Sequence, residues 1–144
     1  MGPDALALTR TFHFSAGHQL ANPDLGEAEN RALYGPCFRP HGHNYLLEVT
    51  VGGRIDPRTG MAADLQGLES AVRRAVVDLV DHHDLNADVP ALRGVITTGE
   101  NLAREFWRLL APALPPGSLR RVAVVETANN TFEYYGGADG GDTQ

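Results

Sequence analysis

Residues 43–51 read His-Asn-Tyr-Leu-Leu-Glu-Val-Thr-Val, and the architecture follows from them. Tyr45, Leu47, Val49 and Val51 share one side of an extended chain, with Glu48 and Thr50 on the other. This two-residue alternation predicts a strand with one buried face. Residues 5–14 show the same pattern, with Leu6, Leu8, Phe12 and Phe14 opposite Thr9, Thr11 and His13, and predict a first strand. Between the two, residues 20–40 hold Asn, Pro and Gly without a period and read as a long loop. Gly52-Gly53 ends the second strand, and a turn-rich segment runs to Gly60.

Further along, Asp64 offers a helix N-cap. Leu65, Leu68, Val72, Val76 and Leu79 recur at steps of three and four and predict an amphipathic helix over 65–80. Residues 81–96 read as a loop. Thr97 and Glu100 stand in capping-box relation, opening a helix over about 100–110 that Pro112 ends. Residues 119–127 alternate again, with Val122, Val124 and Glu126 on one face and Ala123, Val125 and Thr127 on the other. Residues 131–135 make a fourth strand. Two strands, two helices, two strands predict an α+β fold: a four-stranded antiparallel sheet with both helices on one face. Its two open edges must be covered or paired, which points to self-association. The chain of 144 residues suits one domain over 1–135, with a flexible glycine-rich tail at 136–144.

Composition narrows the function. Hydrophobic residues at 42% and charged residues at 21% make a globular mix and exclude disorder. A net charge of −6 argues against nucleic-acid partners. The 12 positive residues are all arginines, so neither lysine Schiff-base chemistry nor a P-loop lysine is available. Apolar runs such as 75–77 are far too short to span a membrane. The single cysteine, Cys37, cannot form an internal disulfide, and no apolar leader is visible; both predict a reducing, cytoplasmic setting.

The chemistry concentrates in residues 37–45, Cys-Phe-Arg-Pro-His-Gly-His-Asn-Tyr. His41 and His43 are two apart, so an extended chain points both imidazoles to one side. If the first two strands pair, His18, placed just past the first strand, reaches the same point. Three neutral histidines with a fourth position open describe a catalytic zinc site, with zinc–nitrogen distances of about 2.0–2.1 Å. The plainer account is a set of solvated surface histidines. Cys37, four residues before His41, is either a thiolate activated by the metal and histidines or a small buried hydrophobe. Asp81-His82-His83-Asp84 is either a cationic helix C-terminus or an Asp–His pair in which the carboxylate fixes an imidazole for proton transfer, leaving His82 or His83 as the carrier. Glu126 lies on an apolar face and needs a partner. An arginine is the structural choice; a ligand with two adjacent N–H donors is the functional one.

These residues resemble the 6-pyruvoyl-tetrahydropterin synthase family, including the 6-carboxytetrahydropterin synthases. The matching elements are Phe14-x-Ala16-x-His18, Cys37 before His41-Gly42-His43, Asp56-Pro57-x-Thr59-Gly60, Asp81-His82, Thr98-x-Glu100-Asn101 and Glu126-Thr127-x-Asn129-Asn130, in family order over 12–135. The resemblance implies the T-fold, with sheets joined between subunits into a trimeric barrel and two trimers stacked as a hexamer. It implies zinc on His18, His41 and His43, and a catalytic relay of Cys37 with Asp81 and His82 drawn from neighbouring subunits. It also implies a pterin held by Glu126 with help from the backbone near Thr98, and 7,8-dihydroneopterin triphosphate as substrate. The Cys37-x-Arg39-x-His41-Gly42-His43 spacing leans to the 6-carboxy product. Leu33-Tyr34-Gly35 and Asn129-Asn130 look more like the pyruvoyl branch. Arg39 and Arg10 are positional candidates for the triphosphate. A non-catalytic zinc- or pterin-binding module would keep the histidines and Glu126 yet could dispense with Cys37 and Asp81-His82.

Overall fold

The computed structural model describes residues 6–137. Strand β1 (Ala7–His18) pairs antiparallel with β2 (His41–Gly52) from Ala7 opposite Gly52 to His18 opposite His41. Strand β2 pairs with β4 (Leu119–Thr127), and β4 with β5 (Asn130–Tyr134), both antiparallel. These four strands are the antiparallel sheet expected from the alternation. A fifth, two-residue strand, β3 (His83–Asp84), adds parallel to the outer edge of β1, giving the order β3-β1-β2-β4-β5.

The inward face of the sheet buries Phe12, Phe14, Tyr45, Leu47, Val49, Val122 and Val124. Against it pack Leu68, Val72, Val76, Val77 and Val80 from one helix and Leu102, Phe106 and Leu110 from the other, in one contiguous core. Both long helices therefore lie on one face, as the sequence predicts.

Several local features differ from the sequence expectation, among them β3 and a 3₁₀ turn (Pro90–Leu92) within the expected 81–96 loop. Strand β1 continues past Phe14 to His18, so His18 is the last residue of the strand and not beyond it. Pairing with β2 carries the weak strand formers Ser15 and Gly17, a tertiary effect that overrides propensity. Within the expected 20–40 loop lie helix α1 (Glu27–Tyr34) and a 3₁₀ turn (Gly35–Phe38). Helix α1 has no apolar stripe; it is held by Glu29 reaching back to the Gly26 amide and by the buried Asn30 amide, which bonds three carbonyls. The 65–80 helix is α2 (Leu65–Val72), a π turn (Arg73–Val77) and α3 (Asp78–Val80) in succession. The wider turn shifts the apolar face by one residue, so Val80 is buried and Leu79 is 40% exposed.

The last long helix, α4 (Gly99–Leu110), is capped by Thr98, whose hydroxyl accepts from the Asn101 amide at 3.2 Å. Thr97, the expected cap, is fully buried and serves another purpose described below. Most of the expected tail, residues 138–144, lies outside the described residues.

Phe106 is fully buried and meets Phe14 edge-on with centroids 5.9 Å apart. Phe106→Ala should cost about 3–5 kcal/mol of stability. Urea unfolding followed by circular dichroism checks this; a loss under 1 kcal/mol contradicts the packing described.

Candidate active site

The β1–β2 register brings His18 opposite His41, and His43 follows two residues on, on the same face. The rings converge: centroids are 4.5 Å apart for His18–His41, 4.9 Å for His41–His43 and 5.2 Å for His18–His43. One ligating atom from each lies within 4.8 Å of the others.

Two of the rings are oriented by backbone carbonyls. His18 Nδ1 lies 2.9 Å from the Thr97 carbonyl oxygen, and His41 Nδ1 lies 2.6 Å from that of Arg39. A carbonyl can only accept, so each ring donates from Nδ1 and keeps its lone pair on Nε2. His18 Nε2 and His43 Nε2 are buried with no hydrogen-bond partner. Burial also favours the neutral form of His18 and His43. Desolvation pushes His18 down to about 4, helped by the nearby His41 and His43 and opposed by the Thr97 carbonyl. Desolvation lowers His43 as well, against the pull of Glu126. Imidazoles with unengaged Nε2 atoms, two of the three rings fixed by an outer hydrogen bond, can hold a metal ion.

Glu126 stands beside these nitrogens on β4. Its Oε2 lies 3.9 Å from His43 Nε2 and 4.0 Å from His18 Nε2. Its side chain is only 15% exposed, and among the described residues no arginine pairs with it. The structural alternative for this carboxylate is therefore unmet, and its two oxygens remain available to a donor pair. Tyr45 completes the floor. Its ring lies 5.3 Å from that of His43, its hydroxyl is buried without a partner, and burial pushes its phenol well above the ordinary range. Alternation alone marked Tyr45 as core; only the orphaned hydroxyl shows its polar end at the site.

The second cluster lies at the edge strand. Asp81 Oδ1 accepts the Ser15 amide at 2.9 Å and sits 3.0 Å from His82 Nδ1. These interactions, the Ser15 amide first, hold its carboxyl below the usual range. The carboxylate thus pairs with His82 at Nδ1, leaving Nε2 of that ring without a hydrogen-bond partner among the described residues; the ring is largely exposed. His83 instead donates from Nδ1 to the Asp81 backbone carbonyl, at 2.8 Å. An open groove of about 460 Å³ runs over Gly17, Gly42, His43, Asn44 and His82.

Cys37 is exposed on its 3₁₀ turn, and its carbonyl accepts the Leu20 amide at 2.9 Å. Among the described residues, no hydrogen bond joins it to Asp81 or His82 within one chain. Thr98 caps α4 beside this region, and Gly99 packs against the Phe132 ring. Arg10 is engaged by Glu69 at 3.0 Å. The Arg39 carbonyl orients His41.

Residues 7–137 match the family described as 6-pyruvoyl tetrahydropterin synthase. The chain is 43% identical over 131 residues to the human 6-pyruvoyl tetrahydrobiopterin synthase, covering 90% of each chain. It is 40% identical over 129 residues to the Dictyostelium discoideum protein of that name, covering 90% of this chain and 95% of the relative. The structure of Caenorhabditis elegans 6-pyruvoyl tetrahydropterin synthase aligns with a TM-score of 0.87 at 35% identity, over 92% of this chain and 96% of that one. Fold and site together define a T-fold pterin lyase. The chain belongs to the 6-pyruvoyl tetrahydropterin synthase family.

Two outcomes follow from the histidine geometry. Elemental analysis of His41→Ala should find well under half the bound metal per chain of the wild type; undiminished content refutes the ligand set. For the metal-free protein, the unfolded chain protonates His18 near its ordinary pKa of about 6.5, before the folded chain does at about 4. The stability this residue contributes is complete above that upper value and is lost as pH falls toward the lower one, by about 3 kcal/mol. His18→Asn, which keeps a donor toward Thr97, should show a correspondingly flatter pH dependence in urea unfolding; parallel curves contradict the assignment.

Proposed function

We propose that this protein eliminates triphosphate from 7,8-dihydroneopterin triphosphate to give 6-pyruvoyl-tetrahydropterin, with zinc held by His18, His41 and His43. The observation that carries this reading is the 40–43% identity, over nine-tenths of the chain, to relatives named 6-pyruvoyl tetrahydrobiopterin synthase, alongside the convergence of His18, His41 and His43 beside Glu126 in this chain. The lean of the sequence toward the 6-carboxy product rests on the Cys37-x-Arg39-x-His41-Gly42-His43 spacing alone. That product is the second reading, formed with loss of triphosphate and acetaldehyde in deazapurine biosynthesis.

Each side chain then has a task. The Glu126 carboxylate accepts the amino and ring N–H pair of the pterin and fixes its orientation, while the backbone near Thr98 borders the ring. Asp81 keeps the proton of His82 on Nδ1, so Nε2 takes or returns a proton at a side-chain carbon. The Cys37 sulfur serves as partner in that exchange. His18, His41 and His43 would hold the zinc, which when bound would supply Lewis-acid polarisation of the side-chain oxygens of the substrate. Cys37 meets Asp81 and His82 across subunit boundaries, in a hexamer of two trimers whose sheets join at their open edges. A reducing cytoplasm keeps the exposed Cys37 a thiol.

The test is mass spectrometry of the product made from 7,8-dihydroneopterin triphosphate, with Cys37→Ala in parallel. The wild type should yield the pyruvoyl mass and free triphosphate. Cys37→Ala should keep zinc and pterin binding while turnover falls about 10²–10⁴-fold. Release of acetaldehyde with the 6-carboxy mass selects the second reading; unchanged turnover in Cys37→Ala removes the cysteine from the mechanism.

A further inference from the structure

We infer that Asn101 is a positioning residue for the three-histidine site, acting through the turn at residues 96–98. The inference rests on that cluster being a metal site. His41 is oriented by a carbonyl only two residues away, that of Arg39. His18 has no such local partner: its Nδ1–H goes to the carbonyl of Thr97, 79 residues along the chain. The Thr97 hydroxyl stands 3.3 Å from the same nitrogen, and Thr97 is completely buried. The aim of the His18 lone pair therefore depends on where the fold puts one peptide group, in the link leading into α4.

Asn101 holds that link from both ends. Its Nδ2 donates to the Ile96 carbonyl at 2.8 Å, and its backbone N–H donates to Thr98 Oγ1 at 3.2 Å. The Ile96 carbonyl also accepts the Thr98 amide at 2.8 Å, so both of its lone pairs are used. Arg104 fixes the amide the right way round. Its Nη2 donates to Asn101 Oδ1 at 3.1 Å, and a guanidinium can only donate, so Nδ2 faces Ile96. With the donor of Asn101 gone, the Ile96 carbonyl loses one partner, the turn relaxes and the Thr97 carbonyl no longer pins the His18 ring. Outer groups that orient a metal-ligating histidine are typically worth 10–100-fold in metal affinity.

The experiment measures zinc affinity by competition with a chromophoric chelator for wild type, Asn101→Asp and Asn101→Ala, each also in a His18→Ala background. Asn101→Asp keeps the shape and replaces the donor by an oxygen, so the pair separates loss of the hydrogen bond from loss of packing. Both variants should weaken zinc binding about 10–100-fold in the wild-type background and cost nothing further without His18. Unchanged affinity in Asn101→Asp, or equal losses in both backgrounds, overturns the inference, because general loosening of the fold would act in both. A wild type that takes up no zinc instead overturns the metal reading on which it rests.

Discussion

His18 faces His41 at the last pair of the β1–β2 ladder, and the geometry of the site hangs on that pairing. The alternation that turns Phe12, Phe14, Tyr45 and Leu47 into the core also turns His18, His41 and His43 to the same face, at one end of the β1–β2 ladder. A slip of one residue would move every one of these side chains to the other face, so core burial itself enforces the convergence of the imidazoles. Gly17 and Gly42 stand opposite each other within the ladder, and a Cβ on Gly42 would come to 3.3 Å from the Ala16 carbonyl oxygen. The pairing is thus close where the ligands are set.

The site is costly to the fold. Among the described residues, the buried side-chain polar atoms without a partner are His18 Nε2, His43 Nε2 and the Tyr45 hydroxyl. All three belong to rings packed around one point, with Glu126 beside it. An unsatisfied buried group costs about 1–3 kcal/mol, and native proteins hold few of them. Their concentration in one place leaves lone pairs and a hydroxyl turned toward a single point, as the proposed metal and pterin site requires. The outer hydrogen bonds of His18 and His41 fit this account, since they spend the Nδ1 protons on carbonyls and leave the inner atoms free.

Strands β1, β2 and β4 were legible because their alternation is local, and the convergence of His18, His41 and His43 was legible because two of them lie on β2. What was hidden depended on partners distant in sequence. Ser15 and Gly17 have weak strand propensity, and only β2 makes them strand. Val80 replaces Leu79 in the core because a π turn adds a residue, which no 3.6-residue pattern foresees. Thr97 carries a capping-box signature one residue out of register with the real cap, Thr98, and its bond to His18 spans most of the chain. Helix α1 is held by side-chain amides and ion pairs with no apolar stripe to announce it.

The acid–base pair shows how β1 serves two kinds of chemistry. Its inward residue His18 joins the metal-binding set, while the backbone of Ser15, three residues earlier, grips the Asp81-His82 corner. The Ser15 amide donates to the Asp81 carboxylate and the Ser15 carbonyl accepts the His82 amide at 2.6 Å. His82 is the one non-glycine residue with positive φ, at +63°, among those described. For a non-glycine residue that conformation costs about 1–3 kcal/mol and persists only when its surroundings over-determine it. Here the surroundings are the Ser15 carbonyl, the Asp81 carboxylate and the β1–β3 pairing that begins at His83. The left-handed turn folds the ring back onto Asp81 while leaving it exposed. The ring is thus held on Nδ1 and open at Nε2, on a strained residue anchored to the strand that carries His18, which is the arrangement the proposed proton transfer needs.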